Sequence, residues 1–127
     1  MNYLDIVIVN WNSGTYLRSC LESILESDNS LVKNIFIIDN LSFDKSLENL
    51  PEDKSIKVIK KDTNLGFAKA CNYGASLSAA KYILFLNPDT RISKDALAGT
   101  FNFMEVNPSI GISGIQLLNE DQEVTKS

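Results

Sequence analysis

The chain has 127 residues, 44% of them hydrophobic, a formal net charge of -4 and no histidine. That length fits one globular domain, able to bury about two-thirds of the surface its unfolded chain exposes. The missing histidine excludes imidazole bases, His-based triads and zincin-type metal sites, so any chemistry must use carboxylates, hydroxyls, amides, lysine or a hard metal. The acidic balance argues against a nucleic-acid partner, and the local cluster of Lys54, Lys57, Lys60 and Lys61 reads as a solvated edge. Apolar runs such as Tyr82 to Leu86 are too short to cross a bilayer, and Met1 to Asp5 lacks the basic stretch and apolar core of a signal peptide, so a cytoplasmic location is expected. Cys20 and Cys71 lack metal-ligand spacing and read as buried, reduced thiols.

In chain order, Leu4 to Val9 is short and β-branched, which predicts a strand buried on both faces of a parallel sheet. After the break at Ser13-Gly14, Leu17, Cys20, Leu21, Ile24 and Leu25 recur at helical spacing. A second strand is predicted over Asn34 to Ile38, stopping at the turn-forming Asp39-Asn40, and a third over Ile56 to Ile59. From Phe67 to about Ala80 the pattern is helical, with small residues Ala70, Cys71, Gly74 and Ala75 that let a helix sit close on a sheet. The fourth strand, Tyr82 to Leu86, is apolar on both faces, which predicts a buried parallel strand, and it ends abruptly at Asn87-Pro88-Asp89-Thr90. Ser93 is placed to cap a helix that buries Leu97, Phe101 and Met104 and ends near Asn107-Pro108. A fifth short strand is expected over Ile110 to Leu118, followed by a polar tail. Without repeats or linkers, this alternation predicts one α/β domain, a Rossmann-like, mostly parallel sheet with helices on both faces.

In such a sheet ligands bind outside the carboxyl ends of the strands. Every predicted strand end here carries amides or carboxylates: Asn10-Trp11-Asn12, Asp39-Asn40, Asp62 with Asn64, and Asn87 with Asp89. Any one could be an ordinary turn; four together point to a site. Trp11, the only tryptophan, fits equally a base-stacking platform or packing against the first helix. Asp39 follows an unbroken apolar strand and can accept a hydrogen bond from a base imide or a ribose hydroxyl. Asn64-Leu65-Gly66-Phe67 resembles a phosphate or ribose turn leading into a helix N-terminus, without a GxGxxG or Walker pattern. Asp89 is the leading candidate to hold Mg²⁺ or Mn²⁺: Pro88 restricts its backbone, Asn87 can add an amide oxygen, and hard cations take one or two carboxylates with substrate phosphates. A plain Asn-Pro-Asp turn has equal weight on the tetrapeptide alone.

Taken in order, Ile6 to Asn12, Ile37 to Ser42, Asn64 to Ala68 with Asn72 and Gly74, Phe85 to Thr90, and Gly111 to Leu118 resemble the family 2 glycosyltransferases, particularly their rhamnosyltransferase-like branch. The resemblance implies the N-terminal, nucleotide-sugar-binding half of a glycosyltransferase A-type fold. It implies a UDP- or dTDP-linked sugar as donor and, in the full enzyme, a glycan or lipid-linked acceptor in polysaccharide biosynthesis. Trp11 would flank the base and Asp39 would hydrogen-bond its imide edge; Asn64 and the helix after it would lie near ribose and phosphates; Asn10, Asn12, Gly66, Phe67, Asn72 and Asn87 would also bind the nucleotide sugar; and Asp89 would hold the metal. Asp89 matches the last carboxylate of the family's Asp-x-Asp motif, whereas Asn87 replaces the first, so the diphosphate would supply the missing charge. An inverting transferase also needs a carboxylate base, which the resemblance places beyond Ser127. Glu120, Asp121 and Glu123 read as surface charge.

Residues 1–127 are thus expected to be a single domain, truncated relative to the catalytic domain, able to bind donor but inactive alone. The full enzyme would be cytoplasmic or peripheral at the inner face of the membrane, and the fragment's exposed apolar surface could drive self-association. The rivals are a non-catalytic nucleotide-binding or assembly domain and a receiver-like signalling module. The second lacks its acidic pair after strand one and its lysine after strand five.

Overall fold

The computed structural model describes residues 3–118, 121 and 123. Four strands, β1 (Leu4–Asn10), β2 (Val32–Asp39), β3 (Ile56–Lys60) and β4 (Tyr82–Phe85), form one sheet in the order β3-β2-β1-β4. All three pairings are parallel. Three helices intervene or follow: α1 (Tyr16–Glu26), α2 (Phe67–Ser76) and α3 (Ala96–Val106). The expected α/β architecture is therefore present, with strand ends within two residues of their predicted positions.

Strand alternation divides the core into two layers. Ile6, Ile8, Ile35 and Ile37 face Leu17, Cys20, Leu21 and Ile24 of α1 and Leu97 of α3. Val7, Phe36 and Ile38 face the opposite way, onto Ala70 of α2. Burying each large aliphatic side chain contributes about 1.5–3 kcal/mol. The register, Ile6 beside Ile35 and Ile8 beside Ile37, keeps each layer uniformly apolar. The predicted small face of α2 has a steric purpose at Gly74: a Cβ there would lie 2.5 Å from Val7 Cγ1 and 3.3 Å from Ile38 Cγ1.

Three expectations need correction. β4 is not sealed on both faces: it pairs only with β1, and Phe85 is 50% exposed. Ile110 to Leu118 forms no strand; only Leu118 makes an isolated bridge. Gly111 and Gly114 weaken extended pairing there, and the segment instead lines a groove of about 560 Å³ beside β4 and α3. At the start of α3, Asp95 rather than Ser93 occupies the cap position, and Ser93 contributes its carbonyl to Ala96 N–H at 3.2 Å. Met1, Asn2 and Glu120 lie outside the described residues. Among the described residues, no helix is long and apolar enough to cross a membrane.

Helix α1 also moors the segment that follows β4. Ser23 Oγ accepts from Ile92 N–H at 3.1 Å, Arg91 Nη1 donates to the Ser19 carbonyl at 3.1 Å, and Cys20 Sγ lies 3.9 Å from the Asn87 carbonyl. Burial pushes the Cys20 thiol up from 9.0 to about 11, against the smaller opposing effects of a Thr90 hydrogen bond and the Arg91 charge.

Two outcomes are expected. Gly74→Ala gains about 1 kcal/mol of helix propensity but overpacks Val7 at a cost of about 1–3 kcal/mol; the melting temperature falls by a few degrees, and an unchanged or higher value would contradict the close approach. Because the folded thiol of Cys20 titrates above the unfolded one, its contribution is complete below pH 9.0 and is lost as pH rises toward about 11. Urea titrations across that window should show a steeper loss for the native chain than for Cys20→Ala.

Candidate functional site

The strand order reverses its direction of travel between β1 and β4, which makes the carboxyl ends beside that junction the position where crossovers diverge and a ligand crevice opens. Asn10 ends β1 and Asp39 ends β2, and the two are direct register partners. Both are buried, at 0% and 3% exposure. A carboxylate so enclosed requires donors. Asn10 Nδ2 donates to Asp39 Oδ1 at 2.9 Å, Ser42 Oγ donates to the same oxygen at 2.7 Å, and Ser42 N–H donates to Oδ2 at 3.0 Å. Oδ1 is thereby saturated, while Oδ2 keeps an acceptor position.

Asn10 extends the network. Its Nδ2 also reaches Ser46 Oγ at 3.0 Å and Ser42 Oγ at 3.3 Å, and its Oδ1 accepts from Ser13 Oγ. Asn12 then latches the two loops together: its N–H donates to Ser42 Oγ at 2.9 Å, and its Oδ1 accepts from Phe43 N–H at 2.9 Å and Asp44 N–H at 3.3 Å. Asp44 returns the latch by accepting from Gly14 N–H at 2.9 Å. Hydrogen bonding from Ser46, and then from Gly14, holds the Asp44 carboxyl below its usual range. Asn12 and Leu41 take left-handed backbone, with φ of 48° and 62°. For a leucine this costs about 1–2 kcal/mol, the kind of local strain that well-determined sites retain.

A second link runs from β2 to the loop before α2. Asn40 Nδ2 donates to the Gly66 carbonyl at 3.1 Å, and Asn40 Oδ1 accepts from Leu65 N–H at 3.2 Å. Asn64 Oδ1 accepts from Gly66 N–H at 2.8 Å, and Gly66, at φ 79°, opens α2 without a side-chain cap. The first turn of α2 therefore presents free amide donors at the sheet edge.

Of the expected site residues, Asn10, Asn12 and Asp39 are joined in one network, and Asn64 and Gly66 are tied to it through Asn40. Trp11 is 53% exposed, which rules out core packing against α1. It meets Phe43 edge to face, with ring centroids 6.2 Å apart. Phe67 is 61% exposed at the start of α2. Asn72 is exposed in the same helix and shares no hydrogen bond with the network among the described residues. Asn87 and Asp89 are exposed on the turn after β4, where Thr90 Oγ1 donates to the Asn87 carbonyl at 2.7 Å. Among the described residues no three Asp, Glu, Cys or His side chains gather as a metal cage around Asp89 or elsewhere. Ser13, Ser42, Asp44 and Ser46 were not singled out as site residues. The signal for three of them is the run Asn40, Ser42, Asp44, Ser46, polar at every second position after a buried strand.

Comparison with known proteins places this arrangement. Residues 5–126 match the model of Glycosyl transferase family 2. The chain is 31% identical over 117 residues to a teichoic acid poly(glycerol phosphate) polymerase of Staphylococcus epidermidis, covering 88% of this chain and 16% of that protein. It is 34% identical over 113 residues to an uncharacterized glycosyltransferase of Haemophilus influenzae, covering 84% of this chain and 44% of that one. Among solved structures, S. aureus TarS 1-349 in complex with UDP-GlcNAc superposes with a TM-score of 0.69 at 22% identity, over 82% of this chain and 31% of that one. The fold is thus the N-terminal part of a glycosyltransferase A-type domain, and the chain spans less than half the length of these relatives. The match across nearly its whole length shows that the chain belongs to glycosyl transferase family 2.

Proposed function

We propose that this chain is the donor-binding part of an inverting glycosyltransferase that takes a sugar from a UDP- or dTDP-linked donor. The observation that carries the reading is the carboxylate of Asp39, buried and held by Asn10 and Ser42, with one acceptor position left and with exposed Trp11 beside it. An imide N–H of uracil or thymine is the complement of that acceptor, and an indole face suits a base. The free amides at the start of α2 suit ribose and phosphate oxygens. The TarS structures with UDP-GlcNAc and with UDP support a uridine nucleotide as the first donor to test. The deoxyhexose donor suggested by the rhamnosyltransferase-like motifs is the alternative, and competition between UDP- and dTDP-linked sugars separates them.

The exposed pair Asn87 and Asp89 fits a hard cation as an incomplete donor set, one carboxylate and one amide oxygen, that a diphosphate completes. Mg²⁺ or Mn²⁺ bound there would stabilise the charge of the departing nucleoside diphosphate. The residues of this chain bind and orient the donor, and the base that deprotonates the acceptor hydroxyl belongs to a further part of the catalytic domain. The acceptor class we favour is a glycan or lipid-linked polymer, as the teichoic acid polymerase among the relatives suggests. The full enzyme would then work in the cytoplasm or at the inner membrane face. The groove beside β4 is the surface through which the isolated chain would self-associate.

Thermal unfolding tests donor and metal together. UDP at about 100 times its dissociation constant should stabilise the chain by about 2.7 kcal/mol, more with Mn²⁺ or Mg²⁺ than in EDTA. Asp89→Ala should remove only the metal-dependent increment; equal stabilisation in EDTA would overturn the metal assignment. Asp39→Asn replaces the acceptor facing the base with an amide and should weaken UDP about 10-fold, the size of one charge-assisted hydrogen bond, without affecting pyrophosphate. Wild-type affinity for UDP in that variant would remove Asp39 from the base site.

A further inference from the structure

Phe43 is unexplained by the hydrogen-bonded network around it. Its ring is 83% exposed, more than that of any other large aromatic residue described. A phenylalanine left in water forgoes about 1.5–3 kcal/mol of burial. Yet its backbone is fixed, because Phe43 N–H and the neighbouring Asp44 N–H both donate to Asn12 Oδ1 and Ser42 N–H donates to Asp39 Oδ2. A held segment therefore presents an unburied ring.

That ring stands at 85° to the indole of Trp11, with centroids 6.2 Å apart. Two nearly perpendicular rings make a corner, so a flat heterocycle lying against one meets the other as a wall. The corner sits beside the network: Trp11 follows Asn10 and Phe43 follows Ser42, and Asn10 and Ser42 are the two side chains that bind Asp39 Oδ1.

We propose that Phe43 is a base-specificity residue, the wall of a corner that admits a single-ring base and refuses a double-ring one. This rests on the nucleotide-sugar reading above and adds to it a division of labour. Asp39, as an acceptor set opposite the ring nitrogen of the pairing edge, is matched by the N–H that uracil, thymine and guanine carry there; cytosine and adenine carry a bare acceptor nitrogen at that position and offer only their exocyclic amines. Hydrogen bonding alone would thus leave guanine as a competitor. A wall at Phe43 removes guanine by size, so the two residues together select uracil or thymine.

The test uses the complete chain and the fluorescence of Trp11, its single tryptophan, with uridine, UDP, CDP, GDP and pyrophosphate as probes. The wild type should show quenching by uridine and should bind UDP more tightly than GDP or CDP. Phe43→Ala, at a position too exposed to disturb folding, should bind UDP about 5-fold more weakly, the scale of one lost aromatic contact. The same variant should lower the UDP-to-GDP preference while leaving the UDP-to-CDP preference and pyrophosphate affinity unchanged. Phe43→Tyr should restore the wild-type pattern. An unchanged UDP-to-GDP ratio in Phe43→Ala, with uridine still quenching Trp11, overturns the role of Phe43 alone. A wild type that neither binds nor responds to uridine overturns the nucleotide reading and this role with it.

Discussion

The carboxylate of Asp39, nearly sealed from water at the end of β2, is the constraint on which the carboxyl edge depends. A carboxylate in that position is costly unless donors meet most of its acceptor directions. The parallel register supplies the first donor by setting Asn10 of β1 directly beside it. Ser42 supplies two more, which folds the chain after β2 back over the strand end. Asn10 must then satisfy its own amide, and in doing so recruits Ser13 from one loop and Ser46 from the other. The two loops are bound together because one buried charge has to be satisfied, and removing a single partner from such a network costs about 1–3 kcal/mol.

The same principle explains why the loops after β1 and β2 are cross-linked to their neighbours while the turn after β4 is held only from one side. Asn12, Asp44 and Asn40 cross-link three separate loops through backbone amides. The turn of Asn87 and Asp89 is closed by Thr90 Oγ1 on the Asn87 carbonyl and held from beneath where Arg91 and Ile92 bind Ser19 and Ser23 of α1, and Asn87 and Asp89 are themselves exposed. The edges of the sheet differ in a related way. β3 carries Lys57 and Lys60, charges that discourage further pairing, whereas β4 carries none between Tyr82 and Phe85 and borders an apolar groove.

Much of the fold was legible because β1 and β2 are short, β-branched and largely apolar, and because α1 keeps helical spacing. Ile110 to Leu118 misled because apolar composition does not create a ladder: with Gly111 and Gly114 in the run, extended pairing is weakened, and among the described residues only Leu118 makes a bridge. β4 misled for the same reason in reverse, since an apolar strand reads as central whether or not a neighbour covers it. The individual site residues were readable as polar strand ends. Their connections were not, because Asn10 and Ser46 lie 36 residues apart in sequence and meet only through the register of β1 on β2.

Asp89 shows the difference between a residue that is placed and one that is committed. Asp39 has spent most of its hydrogen-bonding capacity inside the protein, so what remains has one direction and one partner type. Asp89 is exposed on its turn, which fits the proposed role of a single carboxylate there. Buried Cys20 beneath it keeps a neutral thiol, with Asp89 among the charges that raise it, and Arg91 is drawn away to Ser19 and Glu26. A turn of this kind has weak affinity for a bare cation and gains it only when phosphate oxygens arrive, which ties metal capture to donor capture on the proposed reading.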